Sequence, residues 1–111
     1  MHASDPVERQ VEAYNRRDID AFLACYDADT AIQDATGSVV MQGHEAMRTV
    51  YSDLFRESPH LHAEIATRIR VGEYVIDEER ITGGRGFTEE IHEVATYHLA
   101  NDLIDHVRVI Q

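Results

Sequence analysis

The chain has 111 residues, 43% of them hydrophobic, which allows one domain with a real core and leaves no room for a second. Twenty-one acidic against ten basic side chains give a formal net charge of -11, which repels phosphate backbones and anionic lipid surfaces and argues against nucleic acid and membrane as partners. The single cysteine has no partner for an internal disulfide, the opening Met1-His-Ala-Ser-Asp-Pro lacks the basic and apolar regions of a leader, and no apolar run nears the roughly 20 residues that span a bilayer, so a cytoplasmic protein is expected.

Asp5-Pro6-Val7-Glu8 reads as an N-cap, a proline at the first helical position and a capping-box glutamate. The helix that starts there carries Val7, Val11 and Tyr14 on one face until Asn15-Arg-Arg-Asp18, where Asp18 can cap a second helix. Ile19, Phe22, Leu23 and Tyr26 form the stripe of that second helix at i, i+3, i+4, i+7. Residues 31–34 and 39–42 then make a short hairpin around Thr36-Gly37-Ser38. A third helix follows Gly43, with Met47, Val50, Tyr51, Leu54 and Phe55 as its stripe, and Ser58-Pro59 stops it. From Leu61 the period becomes two: Leu61, Ala63, Ile65, Thr67, Ile69 and Val71 alternate with polar or small residues, predicting a strand with one buried face. Gly72-Glu73 turns into a strand over 74–82, the Gly83-Gly-Arg-Gly86 cluster opens a hairpin to a strand over 89–100, and Asn101-Asp102 turns into a last strand over 103–110. The order is α-α-β-β-α-β-β-β-β, with no repeat, linker or low-complexity segment.

Asp34 is the first candidate for chemistry. A strand-end carboxylate facing an apolar cavity has its pKa raised by desolvation and can serve as a general base; the same residue can instead cap a turn through the Thr36 or Gly37 backbone. His60-x-His62 lacks a third ligand at matching spacing, and His44-Glu45-Ala-Met-Arg48 puts Arg48 where a zinc helix needs its second histidine, so no metal is expected. The glycine cluster has no following helix to make a phosphate loop and reads as a turn. Cys25, beside the stripe of the second helix, reads as packing.

The chain resembles the NTF2-like, or SnoaL-like, superfamily over nearly its whole length. The resemblance is carried by residues 11–34, with the helix break Asn15-Arg-Arg-Asp18-Ile-Asp20 and the strand-end Asp34, by Gly43-His-Glu-Ala-Met-Arg48, and by Glu79-Arg-Ile-Thr-Gly83. It implies an α+β cystatin-like cone: a single domain over 1–111 in which three helices pack on a strongly curved antiparallel sheet and enclose a pocket. Within the superfamily the chain is most similar to the ketosteroid-isomerase branch, whose base is an aspartate at the position of Asp34. That branch's oxyanion-hole tyrosine and protonated aspartate fall on Gln10 and Ala95, and Tyr14, one turn on, would have to swing in, so steroid isomerisation itself is not expected. A second branch, similar to limonene epoxide hydrolase, matches at Arg80 but has Thr82 and Val109 in place of its two aspartates.

Alternation anchored on that resemblance puts Glu78, Arg80 and Thr82, then Glu93, Ala95 and Tyr97, then His106, Arg108 and Ile110 on the cup face. The implied catalytic residues are Asp34, Arg80 and His106, the last two polarising a carbonyl or holding a carboxylate unless Arg80 pairs internally with Glu78 or Glu93. Gln10, Tyr14, Glu78, Thr82, Glu93, Tyr97 and Arg108 would contact substrate, with no cofactor. Adjacent Asp105 and His106 point to opposite faces and cannot act as a dyad. The implied function is a small-molecule-binding protein and cofactor-independent isomerase, cyclase or lyase acting on an apolar carbonyl compound; the alternative is a non-catalytic ligand-binding or dimerisation module. Val75, Ile81 and Val94 would form an apolar patch on the outer sheet face, so a homodimer through that face is expected.

Overall fold

The computed structural model describes residues 5–111; residues 1–4, and with them the expectation about a leader, lie outside the described residues. The Asp5 side chain accepts from the Glu8 N–H at 2.9 Å and Pro6 opens α1 (Pro6–Arg16), whose buried face is Val7, Gln10 and Ala13 at three-residue spacing. The helix ends at Arg17, held at φ 57, and Asp18 caps α2 (Ile19–Leu23) by accepting from the Ala21 N–H at 3.1 Å. β1 (Tyr26–Gln33), β2 (Val39–Gln42), α3 (Gly43–Glu57), β3 (His62–Val71), β4 (Tyr74–Thr82), β5 (Ile91–Ala100) and β6 (Leu103–Ile110) follow. The strands form one six-stranded sheet in the order β2-β1-β6-β5-β4-β3. Every neighbouring pair is antiparallel except β1 and β6, which run parallel. The fold is thus the expected α+β arrangement of three helices on a curved sheet, with one parallel pair inside it.

β1 begins at Tyr26, not at Ala31. Asp27-Ala-Asp-Thr30 has the composition of a turn, yet Thr30 is fully buried and its hydroxyl lies 2.7 Å from the carbonyl oxygens of both Asp27 and Ile104. This contact joins the strand to β6 across an irregular register between Tyr26 and Ala31.

The helices cover the inner face of the sheet, and Phe22, Leu23, Met47, Leu61 and Ile104 are among the most deeply buried side chains between them. Each contributes roughly 1.5–3 kcal/mol on burial. Exposed pairs such as Arg48–Asp20 and Arg56–Asp53 contribute at most about 1 kcal/mol each, so apolar packing, and not surface charge, holds helices to sheet.

A bulge in β3 and a reversal of the expected phase in β4 decide which side chains reach the interior. In β3 the register slips at Ala66: Ile65 pairs with Glu79 but Thr67 pairs with Glu78. This bulge turns the expected single apolar face in two, so Ile65 faces in while Ile69 and Val71 face out at 50% and 62% exposure. In β4 the inner phase is Val75, Asp77, Glu79 and Ile81, all buried. Glu78, Arg80 and Thr82 therefore lie on the outer face, contrary to expectation, and Val75 and Ile81 are core and not part of an outer patch. The strand is polar in both phases, and what settles the phase is that its two end apolar residues, Val75 and Ile81, share it. Asp77 is tolerated inside because Arg68, brought to the same face by the bulge, binds it through Nε at 2.7 Å and Nη2 at 2.8 Å.

β6 shows the same reversal. Val107 and Val109 turn inward, and His106, Arg108 and Ile110 turn outward. The Gly83 turn after β4 has a steric reason for its residue: at φ 79, a Cβ there would lie 2.0 Å from the His60 carbonyl oxygen.

Candidate active site

A cavity of about 540 Å³ separates the helices from the inner sheet face, within the range of small-molecule sites. Most of its wall is apolar: Ile32, Met41, Leu54, Ile81, Val107 and Val109 among others, with Phe87 from the β4–β5 connection and Ile91 from the start of β5. Ala95, expected on the cup face, is on the wall.

The polar groups gather where β4 and β5 face α1. Glu79 and Glu93 are cross-strand partners in the β4–β5 register, so their side chains share the inner face. Both line the cavity, and the nearness of Glu93 is one of the causes that favour a proton on Glu79. Three more side chains lead to this pair. The Tyr26 hydroxyl donates to Gln10 Oε1 at 2.9 Å, Gln10 Nε2 donates to the Tyr97 hydroxyl at 3.2 Å, and the Tyr97 hydroxyl donates to Glu79 Oε1 at 3.4 Å. Every donor in this chain points toward Glu79.

Burial is the main cause that pushes the Glu79 carboxyl up to about 8, followed by the hydrogen bond and charge of Glu93 and the charge of Asp77; the Tyr97 donation opposes the shift. Glu79 is therefore protonated at neutral pH. Burial also raises the phenols of Tyr14, Tyr26, Tyr51 and Tyr97 well above their ordinary range. They stay neutral donors.

Asp34 sits at the cavity mouth, in the β1–β2 hairpin. Its Oδ1 accepts from the Thr36 N–H at 2.9 Å, the Thr36 hydroxyl at 2.6 Å and the Ser38 N–H at 3.1 Å. The Thr36 hydroxyl is the main cause that holds this carboxyl below the usual range. That is the opposite of the shift a desolvated base needs, and the turn-capping role is the one the geometry fulfils.

Of the other expected site residues, Gln10, Tyr14, Glu93 and Tyr97 line the cavity together. Glu78, Arg80, Thr82, His106 and Arg108 do not. Arg80 meets Glu90 at 3.3 Å and Glu78 at 4.0 Å, and Glu78 also binds His92 at 2.6 Å and the Thr67 hydroxyl at 3.0 Å, all on the outer side. His106 bonds Gln33 Oε1, and Arg108 donates to the Ala35 carbonyl at 2.6 Å. The residues that alternation missed are Glu79, Tyr26 and Tyr51; Glu79 was legible from its shared phase with Val75 and Ile81. Among the described residues, no group of three or more His, Cys, Asp or Glu is placed to hold a metal ion, and no helix is long and apolar enough to cross a membrane.

A family model of the SnoaL-like domain matches residues 7–107, and the chain belongs to that family. No curated protein matches it by sequence. Among solved structures it is similar to an uncharacterised cystatin-fold protein from Novosphingobium aromaticivorans, at 28% identity and TM-score 0.87 over 96% of this chain and 95% of that one. It is also similar to a protein provisionally named a polyketide cyclase from Sinorhizobium meliloti, at 17% identity and TM-score 0.80 over 96% and 94%. A third is a hypothetical protein with a ketosteroid isomerase-like fold from Catenulispora acidiphila, in complex with trimethylamine, at 18% identity and TM-score 0.76 over 97% and 85%.

Proposed function

We propose that the cavity is an acid–base site for one small, largely apolar carbonyl compound, worked by the Glu79–Glu93 pair. The observation that carries this is the cross-strand placement of two carboxyl groups on the wall of a largely apolar cavity, where burial pushes the Glu79 carboxyl up to about 8. A protonated Glu79 donates to the substrate oxygen, and Glu93 takes the proton α to the carbonyl. Negative charge that develops on the oxygen meets a donor already in position, oriented by Tyr97, Gln10 and Tyr26. The reaction class is a cofactor-independent isomerisation, cyclisation or elimination. We place the protein in the cytoplasm as a homodimer.

The neighbours named above supply two ligand classes worth offering to this cavity, a polyketide-like carbonyl compound and a small amine. Ligand binding without turnover is the second reading, and one observation favours it: the strand-end carboxylate of Asp34 is committed to the hairpin.

The test is α-proton exchange. Small ketones and lactones are incubated with the protein in deuterated water, and loss of the α-proton signal is followed by NMR. Wild type should exchange at least one of them, and Glu79→Gln and Glu93→Gln should each lose roughly 10² to 10⁴ fold in rate. Exchange that is insensitive to both substitutions ends the acid–base reading, and bound ligands with no exchange leave the binding module.

A further inference from the structure

Among the described residues, the cavity lining includes Asp34, Glu79 and Glu93 and no Arg, Lys or His. Arginines near the site in sequence or on its strands pair with other groups: Arg9 with Asp102, Arg68 with Asp77, Arg70 with Asp5 and Glu8, Arg80 with Glu78 and Glu90, and Arg108 with the Ala35 carbonyl. An anionic ligand would thus enter a chain of net charge -11 and meet two carboxyl groups with no countercharge beside them.

The aromatic part of the wall suits the opposite sign. Tyr14, Phe22 and Tyr51 all line the cavity and pack on one another, with centroids 6.0, 4.7 and 6.5 Å apart and planes inclined by 50°, 51° and 72°. Rings set at such angles surround a space with a mixture of faces and edges, and ring faces attract cations. Tyr26 and Tyr97 complete the aromatic side.

We propose that the occupant is an apolar amine whose ammonium end lies between the Glu79 and Glu93 carboxyl groups and the rings of Tyr14 and Tyr51, with its hydrocarbon body on Ile32, Met41, Val107 and Val109. The amine is a further ligand class for the cavity, competing with the carbonyl substrate, and the proposal rests on the same carboxyl pair as the acid–base site. The ammonium replaces, as countercharge, the proton that Glu79 holds, so binding of a quaternary cation releases that proton to the buffer. The groups facing Glu79 that enter this equilibrium are Glu93 and Tyr97 from β5, Asp77 from its own strand, Gln10 and Tyr14 from α1, Tyr26 from β1 and Tyr51 from α3.

Titration calorimetry with three probes of one shape tests this: benzyltrimethylammonium, its uncharged carbon isostere neopentylbenzene, and the carboxylate with the same skeleton. The cation should bind at least about 10-fold more tightly than the isostere, and the carboxylate should not bind. Run near pH 7 in buffers of different ionisation enthalpy, the cation should release a proton, and the release should vanish at about pH 9, where Glu79 is already ionised. The double variant Glu79→Gln, Glu93→Gln should lose the preference for charge and keep the isostere's affinity, which shows that the cavity is intact. An isostere that binds as well as the cation, or a preference that survives the double variant, overturns the inference. If carbonyl compounds exchange their α-protons in a Glu79-dependent way while the cation does not bind, this inference fails and the acid–base reading stands. Cation preference without any exchange has the reverse meaning.

Discussion

The Asn15 side chain binds the backbone of Ala63 in both directions, Nδ2 donating to the carbonyl at 3.0 Å and Oδ1 accepting from the N–H at 2.7 Å. A primary amide thus does at the free edge of β3 what a neighbouring strand would do, while it pins the end of α1 to the sheet. Arg17, in its left-handed conformation, adds a bond from Nη1 to the Leu61 carbonyl at 3.2 Å. The Asn15-Arg-Arg-Asp18 pattern therefore has a division of labour: Asn15 ties helix to sheet, and Asp18 starts the next helix.

Asn15→Ala should cost about 2 kcal/mol, since two bonds of roughly 1 kcal/mol each are lost and the Ala63 groups lie part-buried. Urea denaturation should show a lower midpoint with an unchanged slope. A midpoint within error of wild type would mean that water replaces the amide without cost.

Glu79 makes stability depend on pH in the direction opposite to an ordinary ion-paired carboxylate. Its carboxyl is raised from 4.5 to about 8 in the folded chain, so the folded state holds a proton that the unfolded state releases. Stability from this group is complete below the unfolded value and is lost as pH rises through the folded one, a change on the order of a few kcal/mol. Glu79→Gln should flatten that slope, and the variant should be the more stable protein at about pH 9. Denaturation curves at about pH 5 and pH 9 decide it; parallel losses in both proteins would remove Glu79 as the cause.

Much of the architecture was legible because local signals agreed with one another. Asp5-Pro6 and Asp18 start their helices as capping chemistry requires, and the turns at Gly72-Glu73 and Asn101-Asp102 separate strands as expected. The site was legible only in part. Gln10, Tyr14, Glu93 and Tyr97 lie on the cavity wall, whereas Arg80 and His106 lie on the outer face of the sheet. In a strand with charge in both phases the period of two fixes that side chains alternate, not which set is inside. For β4 that decision comes from Val75 and Ile81, which share a phase, and is made tolerable by Arg68, which reaches the buried Asp77 because β3 has a bulge at Ala66. Nothing in the sequence of β3 announces that bulge.

The expected homodimer now rests on different residues. Val75 and Ile81 are core, so Ile81→Asp would unfold the chain by burying a charge and would say nothing of assembly. On the outer sheet face Ile69, Val71 and Tyr74 are 50%, 62% and 52% exposed. If that face joins two copies, light scattering should give about twice the 12.6 kDa of one chain, and Val71→Asp with Tyr74→Asp should give a folded monomer. A monomeric wild type at micromolar concentration would refute the dimer.

Asp34 gives the sharpest separation between a cap and a base. Asp34→Asn keeps an oxygen where Oδ1 accepts from Thr36 and Ser38, but removes the basicity that proton abstraction needs. If the carboxylate only closes the hairpin, proton exchange and ligand affinity should stay within about twofold of wild type. Asp34→Ala should instead lower the thermal midpoint, because the Thr36 and Ser38 donors lose their shared acceptor. The sign with pH follows from the lowered carboxyl: its stabilising effect is present above the unfolded pKa and is lost as pH falls through the folded one, so wild type and Asp34→Ala should converge in acid. A loss of about 100-fold in exchange for Asp34→Asn, with the fold intact, would return the role of base to Asp34 and take it from Glu93.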